Sequence, residues 1–181
     1  ATERIARLGV GRTFQTPSLL PGLSALENVL LGAYARQQAG VAACALALPR
    51  ARRESRQLCE EALGWLDFVG LAALAATPAG FLPHGNQRLL EIARTLMAHP
   101  RLLLMDEPAA GLSDTELAAL DRLLRELRSR DLTVVLVEHH IELVAAVADR
   151  ITVLDTGRTL VSAEPSVALR DDRVLNAYLG R

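Results

Sequence analysis

The stretch Leu102-Leu103-Leu104-Met105-Asp106-Glu107-Pro108 is an apolar run that stops abruptly at two carboxylates. Four large apolar residues in succession fit an inner strand of a parallel sheet, covered on both faces. Open α/β sheets bind ligands just beyond the carboxyl ends of such strands, and Asp106 and Glu107 fall there. A carboxylate in that place can hold Mg²⁺ beside a nucleotide phosphate, and its neighbour can orient or deprotonate an attacking water. Taken alone, the run also fits a plain strand end followed by a helix cap.

Three further segments add weight. Upstream, Leu82-Pro83-His84-Gly85-Asn86-Gln87-Arg88 leads into Leu89, Ile92, Ala93, Leu96 and Met97, the apolar stripe of an amphipathic helix. The glycine therefore sits at a helix N-terminus, where free N–H groups and the helix dipole favour an anion. Downstream, Thr133-Val134-Val135-Leu136-Val137 reads as a second inner strand, followed by Glu138-His139-His140. Near the start, Gly11-Arg12-Thr13-Phe14-Gln15 places a glutamine at a strand end, before the breakers Pro17, Pro21 and Gly22.

A glutamine after a strand, a glycine-bearing helix start, a strand ending in Asp-Glu-Pro and a strand leading to His follow one another in this order. In that order and spacing the whole chain resembles the nucleotide-binding subunit of ATP-binding-cassette (ABC) transporters. The branched-chain amino acid uptake subfamily is the nearest flavour. It is suggested by Arg4 to Gln15, by Asp106-Glu107-Pro108-Ala109-Ala110-Gly111-Leu112, and by Ala177-Tyr178-Leu179-Gly180. The resemblance implies an α/β fold: the C-terminal half of a RecA-like P-loop NTPase core, mainly parallel, with an inserted α-helical subdomain. Residues 1–15 would form the core strand leading to the Q-loop, 16–84 the helical subdomain, and 85–181 the rest of the core.

Site roles follow from the same resemblance. Gln15 would be the Q-loop residue reaching Mg²⁺ or the water and sensing the membrane partner. Leu82, Pro83, His84, Gly85, Asn86 and Gln87 would form the signature segment, which touches ATP held by the opposite subunit. Asp106 would be the Walker B carboxylate on Mg²⁺, Glu107 the catalytic base, His139 the switch histidine at the γ-phosphate, and Ser113 the D-loop residue. The cofactors implied are ATP and Mg²⁺. The implied partners are a second ABC ATPase subunit, a membrane permease and, indirectly, a solute-binding protein, with the subunit peripheral on the cytoplasmic face of the membrane.

The chain departs from the common Leu-Ser-Gly-Gly-Gln signature at three places: Pro83, His84 and Asn86. The serine hydroxyl is missing, while Gly85 still permits close backbone approach. Ser113 stands where many relatives have aspartate, and with Glu116 it also forms a Ser-x-x-Glu capping box. No G-x-x-x-x-G-K-[ST] loop is found, and all twenty Lys+Arg positions are arginine. The expectation is that Ala1 lies inside a larger domain. Two other readings stand beside the transporter one: a non-enzymatic fragment lacking the phosphate loop, and an ABC-type ATPase outside transport. The last ranks third, because no sustained heptads separate Gln15 from the signature.

Composition agrees with one α/β unit of 181 residues, half of them apolar. A formal charge of −1 argues against a nucleic-acid-coating surface, so no nucleic-acid partner is expected. No stretch approaches the roughly twenty apolar residues of a membrane span, and the charged start lacks a secretory apolar region. Cys44 and Cys59 have no metal-type spacing and read as unpaired thiols.

The patterning predicts helices over 2–8, from a Ser24–Glu27 capping box to about 35, over 50–69, 86–98, 114–130 and 141–148, and short ones near 166–170 and 174–179. Strands are expected through Phe14, before Asp106, over 133–137, and over 151–154 and 158–161 about a turn at Thr156-Gly157. Gly40 to Pro49 gives no clear signal. Arg50, Arg52, Arg53 and Arg56 read as a solvated helix face. His140 reads as a cap of the following helix, His84 and His99 as surface residues, and Trp65 and Phe68 as packing.

Overall fold

Three short strands, β1 (Val10–Arg12), β2 (Leu102–Asp106) and β3 (Thr133–Val137), lie side by side in that order and run parallel. The computed structural model from which this is read describes residues 5–6, 8–34, 36 and 49–179. Two compact units divide the chain, Ala1–Val137 and Glu138–Arg181.

In the first unit β2 takes the central place that its apolar run requires, with Leu103 and Met105 fully buried. Parallel neighbours cannot be joined by a tight turn. The crossover from β1 to β2 carries α1 (Ala25–Leu31), α2 (Pro49–Phe68), two 3₁₀ turns (Ala72–Leu74 and Ala79–Phe81) and α3 (His84–Leu96). The crossover from β2 to β3 is α4 (Asp114–Arg128).

Local sequence accounts for these helices. Ser24 N–H and Oγ donate to the Glu27 carboxylate at 2.8 and 2.7 Å, and Glu27 N–H donates back to Ser24 Oγ at 3.2 Å, the reciprocal box that opens α1. α1 packs on α2 and α3. At Gly32 a Cβ would strike the carbonyl oxygen of Arg94, so only glycine lets the end of α1 come this close to α3. The stripe read on α3 is buried at every position (Leu89, Ile92, Ala93, Leu96 and Met97), and Leu90 joins it. On α4 the buried set is Leu120, Leu123, Leu124 and Leu127; burial of each leucine contributes about 1.5–3 kcal/mol. Leu117, one turn before Leu120 on the same side, is only half-buried.

β3 differs from expectation. Its apolar run predicts a second inner strand, yet among the described residues it is the edge of the sheet, and Val135 and Val137 are 47% and 57% exposed. An apolar run records what a strand is suited to meet, not which neighbours are at hand. α3 begins at His84, two residues before the expected start, which brings the glycine inside the first turn.

Other assignments need smaller changes. α2 spans Pro49–Phe68, close to the predicted helix, and Arg50, Arg52, Arg53 and Arg56 are exposed on it. Trp65 and Phe68 meet edge to face at 5.7 Å, and the Arg130 guanidinium lies over both rings, 4.3 Å from the Phe68 centroid. His99 is exposed, as expected of a surface residue, and meets the Glu61 carboxylate. Cys59 is a free thiol, while Cys44, residues 40–48 and most of the 2–8 helix lie outside the described residues.

The second unit contains α5 (Ile141–Val147), the antiparallel pair β4 (Ile151–Asp155) and β5 (Arg158–Ala163), α6 (Pro165–Ala168) and α7 (Asp172–Leu179). Thr156 and Gly157 both have positive φ, 44° and 78°, as a two-residue hairpin turn of the primed type demands. Thr152 Oγ1 and Ser162 Oγ join across the pair at 2.9 Å. α6 packs on β4 and β5, and α7 on β5. His140 takes the N-cap position of α5, but its side chain makes no capping hydrogen bond; the imidazole is not the cap that was expected. No helix among the described residues is long and apolar enough to cross a membrane.

Candidate active site

Because β1 and β2 are parallel neighbours, their carboxyl ends lie together. Thr13 N–H donates to Leu104 O at 2.9 Å and extends the ladder past β1, and Gln15 follows two residues later. Gln15 Nε2 donates to Glu107 Oε2 at 3.0 Å. The glutamine and the second carboxylate, ninety-two positions apart, are therefore in direct contact.

Asp106 has a different neighbour. β-Sheet register pairs Arg12 with Leu104, and Asp106, two residues on, shares that face. The Arg12 guanidinium stands 3.6 Å from Asp106 Oδ2 and 5.1 Å from the Phe14 ring centroid. Both members of the pair are well exposed, so it is weak. Arg12 was not among the candidate residues; its tie to Asp106 depends on strand register, which no local pattern encodes.

Glu107 departs from ordinary backbone geometry. Its φ is 45°, the left-handed region that non-glycine residues rarely adopt, and Pro108 follows, which favours extended backbone instead. The conformation is held by Glu107 N–H donating to Val137 O at 2.9 Å and by Ala110 N–H donating to Glu107 O at 3.2 Å. Strain of this kind costs about 1–3 kcal/mol and persists where surroundings over-determine it, typically at working sites.

The Leu82–Gln87 segment forms a second polar cluster in the same unit. Leu82 is buried, Pro83 is the N-cap of α3, His84 is exposed and Gly85 is buried. Gln87 Nε2 folds back to Leu82 O at 2.9 Å, and Asn86 is half-buried. A Cβ on Gly85 would collide with the Glu116 carboxylate. Ser113 Oγ and N–H donate to Glu116 Oε2 at 2.7 and 2.8 Å. The hydroxyl bond of Ser113, then its N–H, hold the Glu116 carboxyl below its ordinary range, helped by His84 and the Gly85 backbone. A carboxylate thus lies against the helix start that was read as an anion site, and Ser113 orients it. The sequence pattern alone marks Glu116 only as half of a capping box.

His139 stands two residues past β3, in the second unit. Its N–H donates to Glu138 Oε2 at 3.1 Å, and its Nδ1 lies 3.8 Å from the same oxygen. The structure therefore brings Gln15, Glu107, Asp106 and Arg12 together in the first unit and joins Gly85 to Ser113 through Glu116. His139 belongs to the other unit.

Residues 1–110 match the family model described as ABC transporter. The chain is 40% identical, over 179 residues, to the high-affinity branched-chain amino acid transport ATP-binding protein BraF of Pseudomonas aeruginosa, covering 98% of this chain and 70% of that protein. An ATP-binding cassette of an ABC transporter in its ADP conformation superposes with a TM-score of 0.78 at 28% identity, covering 99% of this chain and 71% of that one. A dimeric cassette bound to ADP and Pi matches with a TM-score of 0.73 at 28% identity, over 91% of this chain and 66% of that one. This chain belongs to the ATP-binding proteins of the ABC transporter family.

Proposed function

We propose that this chain is the ATP-hydrolysing subunit of an importer for branched-chain amino acids or similar small polar solutes. The observation that carries the reading is the Gln15–Glu107 hydrogen bond beside Asp106 at the carboxyl ends of two adjacent parallel strands. The likeness to BraF supports the solute class, and the dimeric cassette with ADP and Pi supports a second ATPase subunit as partner. A permease, reached from the helical segment 16–84, and a solute-binding protein beyond it complete the assembly. The subunit sits peripherally on the cytoplasmic face of the membrane.

In this mechanism Glu107 orients the attacking water and accepts its proton, and Gln15 steadies the carboxylate through its N–H. His139 contacts the γ-phosphate. The Leu82–Gln87 segment and Ser113 serve the nucleotide of the opposite subunit. Among the described residues no cluster of three or more His, Cys, Asp or Glu could hold a metal ion unaided. One carboxylate, Asp106, with the Gln15 amide oxygen is the sparse donor set that suits Mg²⁺ shared with phosphates. When bound there, Mg²⁺ supplies positive charge that offsets the negative charge developing in phosphoryl transfer.

The direct test is reconstitution with the permease in liposomes. ATP turnover is expected to rise when the solute-binding protein is loaded with leucine, isoleucine or valine. Turnover that ignores those amino acids but answers to another solute class would overturn the substrate assignment.

A further inference from the structure

Three charged side chains on one face of α3 grip the loop that carries Gln15. Arg88 Nη1 donates to Phe14 O at 3.0 Å, Ser18 N–H donates to Glu91 Oε1 at 3.1 Å, and Arg94 Nη1 donates to Ser18 O at 2.6 Å. Positions 88, 91 and 94 step by three along the helix, so they share a face. Their bonds fall on Phe14 and Ser18, which bracket Gln15, Thr16 and Pro17.

These are not surface charges. Arg88 is 4% and Glu91 1% exposed, and Arg94 Nη2 lies 3.9 Å from Glu91 Oε1. Burial raises the Glu91 carboxyl, against the lowering effects of Ser18 N–H, Arg94, the Phe14 backbone and Arg88. Burying an ion pair brings little net stability, and an apolar replacement often does as well. An apolar residue at 91 would nevertheless leave the Ser18 N–H without its partner. What the charges add is a fixed position for the loop.

We propose that Arg88, Glu91 and Arg94 are positioning residues for Gln15, so that α3 transmits displacement of its glycine-bearing start to the Gln15–Glu107 pair. The structural half stands on the hydrogen bonds above. The functional half rests on the reading of Gln15 under Proposed function. One rigid helix then carries the Gly85 segment on its first turn and the loop clamp on the next two.

Amide exchange on this chain and turnover of the assembled subunit test the two halves separately. Glu91→Ala is expected to speed exchange at the Ser18 amide about tenfold or more while the β2 amides of Leu103 and Met105 keep their rates. Glu91→Gln, which retains a carbonyl acceptor for Ser18 N–H, is expected to restore most of that protection. In the assembled subunit Glu91→Ala is expected to lower kcat about tenfold with the KM for ATP unchanged, and Glu91→Gln to recover most of kcat. Arg94→Gln, at a partly exposed position, is read in the same way if Glu91→Ala does not fold. Unchanged Ser18 exchange in both loss variants would overturn the clamp. Faster exchange with unaltered kcat would overturn its role in positioning. Unaltered turnover in Gln15→Ala would instead overturn the reading of Gln15, and the functional half with it.

Discussion

Arg12 reaches across from β1 to stand 3.6 Å from the carboxylate of Asp106 on β2. The contact places a fixed positive charge on the carboxylate proposed to hold Mg²⁺. An exposed pair of this kind contributes about 0.2–1 kcal/mol, and Mg²⁺ must compete with it. Arg12→Ala is therefore expected to tighten Mg²⁺ binding in the presence of ATP by up to about fivefold, measured by calorimetric titration. A weaker Mg²⁺ affinity in that variant would mean that Arg12 assists the site instead of competing for it.

The left-handed backbone at Glu107 gives a prediction of the opposite kind. Glycine adopts a φ of 45° without steric cost, but it loses more chain entropy on folding. Relief of about 1–3 kcal/mol of strain against about 0.5–1 kcal/mol of entropy favours the variant. Glu107→Gly is expected to unfold at a higher temperature than the parent, by a few degrees, while hydrolysing ATP far more slowly. A lower melting temperature would show that the strained conformation is stabilised by the side chain itself.

Glu61 ties α2 to two separate segments, through Arg36 at 2.7 Å and through His99. Burial alone would raise its carboxyl, but the Arg36 hydrogen bond and charge, followed by His99, outweigh that and hold it below the ordinary 4.5. A carboxyl depressed in the folded state contributes stability above its unfolded value and loses it as pH falls through the folded one. Glu61→Gln is expected to cost about 0.5–1 kcal/mol at pH 7, after allowance for solvent screening. The gap from the parent should close as pH falls below about 4.5. Urea unfolding at both pH values checks this; a gap that persists in acid would assign the loss to packing.

What could be read in advance was what local pattern encodes. The apolar run before Asp106, the stripe of α3 and the Ser24–Glu27 box each occupy a few consecutive turns or alternations, and each took its expected form. The Gln15–Glu107 contact was legible only because the family resemblance placed both residues at one site. Contacts set by register or by packing between distant segments left no local trace. Arg12 meets Asp106 through strand register, and Glu116 reaches Gly85 across two helix starts. Arg88 and Glu91 have the composition of a surface face, yet they are buried against backbone polar groups of a distant loop.

Asn28 illustrates the same limit. Polar and mid-helix, it would be placed outside on propensity, yet it is fully buried on α1. Its carboxamide accepts from Leu20 N–H at 2.9 Å and donates to the carbonyls of Leu20, Leu23 and Ser24, fixing the chain downstream of Gln15. Only the folded backbone creates the unsatisfied groups that call for an amide there.

The most direct measurement is the ATP turnover of Glu107→Gln in the assembled subunit, with ATP binding followed in the same preparation. Loss of a positioned general base is expected to reduce kcat about 10²–10⁴-fold while nucleotide still binds, since the carboxamide keeps the shape and a hydrogen bond to Gln15. Turnover equal to that of the parent would contradict the assignment of hydrolysis to the Gln15–Glu107 pair.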